Sequence, residues 1–235
     1  MERVAAAGFT IAYERAGHGP PLLLLHGGAS DAGEWRAVAG DLARDHDVVA
    51  WDAPGCGGSS DPPVRFSLPG YADVLAAFMA AVGLGDAHVA GLSFGGGLAI
   101  QLAARHPRRV RSLVLVSAYA GWAGSLSPAE VRARRRTVAE ELRHPDPGVR
   151  PVPAMTMLDA FAQADLRAVL GGIRVPALVV HGSEDARAPR AVAEALRDGI
   201  PGARMAVLHG AGHVCTLDAP DRLAAAIRDF LIAVG

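Results

Sequence analysis

The 235-residue sequence contains no lysine; its 23 Lys-plus-Arg positions are all arginine. Against 24 Asp and Glu the formal net charge is −1, so the chain has no general attraction for nucleic acid or an anionic membrane, and neither is expected as a partner. An absence of lysine this uniform reads as compositional bias of a GC-rich genome rather than as chemistry. Cysteine is nearly absent as well. Cys56 and Cys215 are too few for a disulfide framework, and each reads as a small semi-buried residue. Long apolar runs are missing: the longest aliphatic stretch, Leu22 to Leu25, is far too short to cross a bilayer. Met1 to Val4 opens no apolar segment of the signal-peptide kind. The expectation is a cytoplasmic, reduced setting. No internal repeat or low-complexity tail is visible.

What is present is the composition of a folded domain. Hydrophobic residues make up 51% and charged residues 20%, which suits one substantial core. Short apolar runs alternate with longer amphipathic stretches. Leu22–Leu25, Asp47–Trp51, His88–Gly91, Leu113–Val116, Ala177–Val180 and Met205–Leu208 read as strands. Runs that are apolar on both faces suit parallel strands covered by helices. Helical patterns fall between them over Glu34–Arg44, Tyr71–Val82, Phe94–Arg105, Ala191–Arg197 and Arg222–Leu231. The alternation predicts an α/β fold with a mainly parallel central sheet flanked by helices. Val4 to Tyr13 has the alternation of an antiparallel hairpin on the sheet edge.

Residues 121–172 break this rhythm. They contain no good strand, so the core domain is expected over 1–120 and 173–235 with a small helical cap between. Ser127-Pro128-Ala129-Glu130 is a capping box with proline at the first helical position, predicting a helix to about Arg143. His144 to Gly148 is a breaker, Pro151 and Pro153 follow it, and a second helix is expected over Met155–Leu170. The arginines at 132, 134, 135 and 136 read as a solvated helix face, since Glu140 and Glu141 follow them.

Candidate chemistry begins at Gly91-Leu92-Ser93-Phe94-Gly95-Gly96, directly after an apolar strand. A serine hydroxyl is a poor nucleophile and needs a base, a group to orient the base, and donors for an oxyanion. Gly-x-Ser-x-Gly between strand and helix presents the hydroxyl at the carboxyl end of the sheet, where the free N–H groups of the helix start converge. Taken alone, such a turn often holds an inert serine. The partners follow in order. Asp185, in Gly182-Ser183-Glu184-Asp185, comes just after one strand and is favoured over Glu184 because it leaves the strand before offering its carboxylate. His213, in Gly210-Ala211-Gly212-His213, comes just after another and is favoured over His209 by its glycine loop. A lone Asp is more often a helix cap or turn residue and a lone His more often structural; three such groups at successive strand ends read differently.

These motifs, together with His26-Gly27-Gly28 and Asp52-Ala53-Pro54-Gly55-Cys56-Gly57-Gly58-Ser59, resemble the α/β-hydrolase fold superfamily over nearly the whole chain. The resemblance implies Ser93 as nucleophile, His213 as base, Asp185 as its orienting acid, and a helical cap after the sixth strand. It also implies an oxyanion hole of two backbone N–H groups, those of Gly28 and Phe94. Acyl transfer to water then needs no metal or organic cofactor. The expected partner is a small-molecule substrate with an ester-like bond (carboxylester, lactone or thioester), a carbon–carbon bond substrate staying open beside these, and the general look is similar to enol-lactonase-like and esterase-like hydrolases. Trp35, Phe66, Tyr119, Trp122, Met155 and Met157 are candidate apolar lining, with ordinary packing as the alternative; no arginine is placed to bind a carboxylate. Two other readings stay open: a non-hydrolytic lyase or cyclase on the same scaffold, and a small-molecule-binding protein without turnover. A homo-oligomer is compatible with everything above.

Overall fold

The computed structural model describes residues 1–235. An eight-stranded sheet runs through the molecule. Its strands are β1 (Glu2–Ala6), β2 (Phe9–Ala16), β3 (Pro21–Leu25), β4 (Asp47–Trp51), β5 (Ala87–Leu92), β6 (Val110–Val116), β7 (Ala177–Gly182) and β8 (Arg204–Leu208), in the order β1-β2-β4-β3-β5-β6-β7-β8. β1 and β2 form the expected edge hairpin and β2 runs antiparallel to β4; every other pairing is parallel. Pairing registers such as Leu24↔Ala90 and Ala90↔Val114 bring the carboxyl ends of β3, β5 and β6 to one rim.

Period-two alternation divides the strand side chains between two cores. Leu23, Leu25, Val49, Val89, Leu113 and Val179 face one, against the helices α2 (Leu68–Ala81), α3 (Phe94–Arg105) and α8 (Arg190–Gly199). Leu22, Leu24, Val48, Ala90, Val114 and Val180 face the other, against α1 (Arg36–Leu42) and α10 (Pro220–Val234). Strands packed on both faces must be apolar throughout, which is why the short runs are legible in the sequence. No helix is long and apolar enough to cross a membrane.

Between β6 and β7 the chain makes a helical excursion: α4 (Trp122–Ser125), α5 (Pro128–Glu141), α6 (Pro151–Gln163) and α7 (Arg167–Leu170). The capping box is present as read: the Ser127 hydroxyl accepts the Glu130 N–H, and the Glu130 carboxylate accepts the Ser127 N–H. The second helix differs. It starts at Pro151 and stops at Gln163, with a separate turn at Arg167–Leu170. Pro151 and Pro153 read as breakers, yet they lie in the first turn of α6, where the missing N–H has no partner to lose. A last element, α9 (Cys215–Asp218), follows the loop after β8.

The turn from β5 into α3 explains the glycines around Ser93. A methyl group on Gly91 would overlap the Gly95 carbonyl, and one on Gly95 would overlap the carbonyls of Leu25 and His26 at the end of β3. Both glycines let backbone approach backbone, so neither can be replaced without moving main chain. Gly95→Ala is expected to lower stability by several kcal/mol, on the overpacking scale of about 1–3 kcal/mol or more, or to prevent folding. Thermal melts read this directly; an unchanged midpoint would mean that the turn relaxes freely.

Candidate active site

Ser93 is held at φ 52°, ψ −107°, a positive-φ conformation that costs a side-chain-bearing residue about 1–3 kcal/mol. The surrounding contacts enforce it. The Ser93 N–H donates to the Val116 carbonyl on β6 at 2.9 Å, and the Gly97 N–H donates back to the Ser93 carbonyl at 3.2 Å. The half-buried hydroxyl is thereby turned up at the carboxyl rim of the sheet.

His213 reaches that hydroxyl from the loop after β8, its Nε2 lying 3.1 Å from Ser93 Oγ. Its Nδ1 lies 3.0 and 2.9 Å from the two carboxylate oxygens of Asp185, which sits after β7. The loop is anchored just ahead of the ring. The Gly212 N–H donates to Asp218 Oδ2 at 2.9 Å, and the Glu184 N–H donates to the Ala211 carbonyl at 2.9 Å. The His213 side chain is 12% exposed and that of Asp185 0%. Burial by itself would raise the Asp185 pKa. Hydrogen bonds from His213, the Ala188 N–H and Ser117 outweigh it and hold the carboxyl below its ordinary value. Asp185 therefore stays ionised beside the imidazole, with its Oδ1 also accepting the Arg187 N–H at 2.9 Å and the Ala188 N–H at 2.8 Å. The rejected alternatives, Glu184 and His209, are both exposed and take no part in this line.

Gly28 and Phe94 share a cavity of about 900 Å³ with Ser93 and His213. Phe94 is the first residue of α3, and the Cβ position of Gly28 is 4.0 Å from Phe94 Cβ. The two residues flank the serine from neighbouring strand ends, where β3 leads toward β4 on one side and β5 toward β6 on the other; such a divergence is where open α/β sheets form clefts. The Gly27–Gly28 peptide is oriented from behind. His26, 1% exposed, places Nδ1 2.6 Å from the Gly27 carbonyl, while its Nε2 accepts the Ala53 N–H at 3.0 Å. That pairing assigns the ring proton to Nδ1, donating to Gly27.

Tyr119, Trp122 and Met157 line the cavity beside Ala154, Leu158 and Phe161. Trp35 does not. It is fully buried on the opposite face of the sheet, packed with Val38 and Leu42, because the chain after β3 folds under the sheet before α1 begins. Met155 does not either. With Phe66 it lines a second cavity, also about 900 Å³, between the start of α2 and α6. Residues two apart on a helix point roughly 200° apart, so Met157 and Met155 serve different faces of α6.

Several residues at the site have no counterpart in the sequence reading. Arg134 is not on the solvated face of α5. Its guanidinium lies 5.4 Å from the centroid of the Tyr119 ring and 5.7 Å from that of Trp122, donates to the Tyr119 hydroxyl at 2.6 Å, and donates to the Arg187 carbonyl. Burial pushes the Tyr119 hydroxyl up to about 12, so it remains a donor, to the Arg187 carbonyl at 2.6 Å. The signal was available: Val131, Arg134 and Val138 are the partly buried positions of α5 and recur at three- and four-residue spacing. Ser117, at φ 46° where β6 ends, sits 3.7 Å from the Cys215 thiol, which burial pushes up. Glu34 accepts the Gly27 N–H at 2.6 Å; burial raises its carboxyl above the ordinary range against the pull of that bond, of His26, of Ser30 and of His213.

Comparison with known proteins agrees with this architecture. A sequence profile of the alpha/beta hydrolase fold matches residues 20–146. The chain is 30% identical to the 2-hydroxymuconate semialdehyde hydrolase of a Pseudomonas species over 97% of its own length and 92% of that protein's. It is also 30% identical to the pimeloyl-[acyl-carrier protein] methyl ester esterase of Aeromonas hydrophila, covering 94% of this chain and 99% of the other. Among solved structures, the enol-lactonase from Burkholderia xenovorans superposes with a TM-score of 0.84 at 26% identity, over 98% of this chain and 100% of that one. With a sheet of this order, an elbow after β5 and hydrolases as relatives, the chain belongs to the α/β-hydrolase fold family and is an enzyme of that family.

Proposed function

We propose that the protein hydrolyses an ester-like bond of a small molecule, whether carboxylester, lactone or thioester, through an acyl-enzyme on Ser93. The observation that carries this reading is the single imidazole of His213, hydrogen-bonded to Asp185 through Nδ1 and facing Ser93 Oγ through Nε2. His213 Nε2 takes the Ser93 proton as the oxygen attacks the carbonyl carbon. Asp185 holds the proton on Nδ1 and stabilises the imidazolium that results. The N–H groups of Gly28 and Phe94 receive the negative oxygen of the tetrahedral intermediate. The imidazolium then returns its proton to the departing alkoxide or thiolate, leaving an acyl-serine. A water molecule, deprotonated by the same nitrogen, attacks the acyl carbonyl and releases the acid, and Ser93 regains its hydrogen.

In this reading residues 121–172 form a cap over the site. They supply Trp122, Arg134, Leu142, Met157, Leu158 and Phe161 to the cavity wall. A cavity of about 900 Å³ lies within the usual size range of small-molecule sites and exceeds what a short acyl group fills. The relatives named as a methyl ester esterase and an enol-lactonase support an ester-like bond.

A fluorophosphonate probe tests the assignment. The expected result is one covalent adduct, mapped by mass spectrometry to the peptide carrying Ser93. Turnover in oxygen-labelled water should then place one water-derived oxygen in the acid product. An unlabelled Ser93 would favour a binding protein, and product without solvent oxygen would favour a lyase or cyclase.

A further inference from the structure

One half-buried carboxylate at the site has no part in the proton transfers above. Glu34 meets the 27–30 loop at the Gly27 N–H and is not among the residues lining the cavity. It is not the cap of its own short 3-10 helix, Ala32–Trp35, either; that role belongs to Asp31, whose carboxylate accepts the Gly33 N–H at 2.8 Å. Instead its carboxylate holds the start of the loop, accepting the Gly27 N–H at 2.6 Å, while Ser30 at the other end also favours its ionised form. Between those two points lie Gly28 and Ala29, the latter at φ 58°. A segment holding a non-glycine residue at positive φ needs outside contacts to keep it there.

The geometry points to Glu34 as a positioning residue that, from outside the cavity, keeps the Gly28 N–H aimed at the carbonyl oxygen above Ser93. The inference rests on the acyl-enzyme reading, with Gly28 as an oxyanion donor. Two consecutive peptide planes matter. Glu34 holds the His26–Gly27 plane by its N–H, and His26 holds the Gly27–Gly28 plane by its carbonyl. A trans peptide points its N–H opposite to its C=O. With the Gly27 carbonyl turned inward to the buried His26 ring, the Gly28 N–H faces the other way, into the cavity that Gly28 lines. A short hydrogen bond to a carboxylate is stronger than one to a neutral acceptor, which suits a staple on a strained loop.

Three full-length variants test this: Glu34→Ala, Glu34→Gln and Glu34→Asp. A short aryl ester is the substrate, and a trifluoromethyl ketone probes tetrahedral binding. Glu34→Ala removes the staple, and kcat should fall about ten- to hundredfold, a part of the loss that follows deletion of an oxyanion donor. KM should stay within about threefold, because the ground-state carbonyl is not yet charged. Affinity for the ketone should fall with kcat. Glu34→Gln keeps an oxygen that accepts the Gly27 N–H and should stay within about fivefold of the parent. Glu34→Asp keeps the charge but withdraws it by about 1.5 Å and should resemble the alanine variant. Should Glu34→Ala not fold, the Gln and Asp variants decide alone. The inference is overturned by parental kcat in Glu34→Asp or Glu34→Ala, by a change confined to KM, or by Glu34→Gln as slow as Glu34→Asp. Failure of the acyl-enzyme reading shows separately, as activity retained when Ser93 itself is replaced.

Discussion

Ser93→Ala is expected to lower kcat on a short aryl ester by about 10⁴-fold or more while leaving the fold intact. The variant removes one oxygen and keeps every backbone contact of the elbow. The main chain at 93 is strained whichever side chain it carries, and the Ser93 hydroxyl caps nothing in α3, so the melting temperature should not fall. The loss corresponds to roughly 5 kcal/mol of barrier. What should remain is catalysis by the proposed oxyanion donors and by binding, acting on a water that attacks in place of serine. A panel of aryl esters, lactones and acyl thioesters, run beside this variant, would also name the preferred bond. Activity within about tenfold of the parent would remove Ser93 from the chemistry.

Asp185→Asn should cost nearly as much, about 10³- to 10⁴-fold in kcat, for a different reason. Asp185 Oδ1 accepts the backbone N–H groups of Arg187 and Ala188 as well as facing His213. In the asparagine variant the amide oxygen is claimed by those two N–H donors, which leaves the amide NH₂ facing His213 Nδ1. That nitrogen must then accept, so the ring proton moves to Nε2 and points at Ser93 Oγ. A protonated Nε2 cannot remove the serine proton. The fold should survive, since the backbone bonds of the loop are kept, and the fluorophosphonate reaction should slow in parallel with kcat. Rapid labelling in this variant would show that Asp185 does not set the tautomer.

Much of this was visible in the residues. The strands from Leu22 to Leu208 were legible because a strand covered on both faces has no polar alternation to blur it. Ser93, Asp185 and His213 were legible because each lies within a glycine-bearing turn just after such a strand, and in parallel strands all those turns emerge at one rim. The start of α5 was legible from its capping box. Pro151 misled because proline breaks a helix interior and favours a helix start, and the choice depends on what precedes it. Trp35, Met155 and Glu34 were out of reach for a common reason. Their side chains are placed by the direction a connection takes after a strand or turn, and by which face of a helix meets the core.

The residues alone dictated local states: which segments are extended, where each ends, and where a glycine-bearing turn follows. The fold decided the partnerships. Ser93 and His213 are 120 positions apart and His213 and Asp185 are 28 apart, and hydrogen bonds between them exist only because the sheet order sets β5, β6, β7 and β8 side by side. The same holds for Glu34 behind Gly27 and for Arg134 over Tyr119. Periodicity along a chain encodes a face and an end; the atoms that stand opposite are chosen by how distant segments pack.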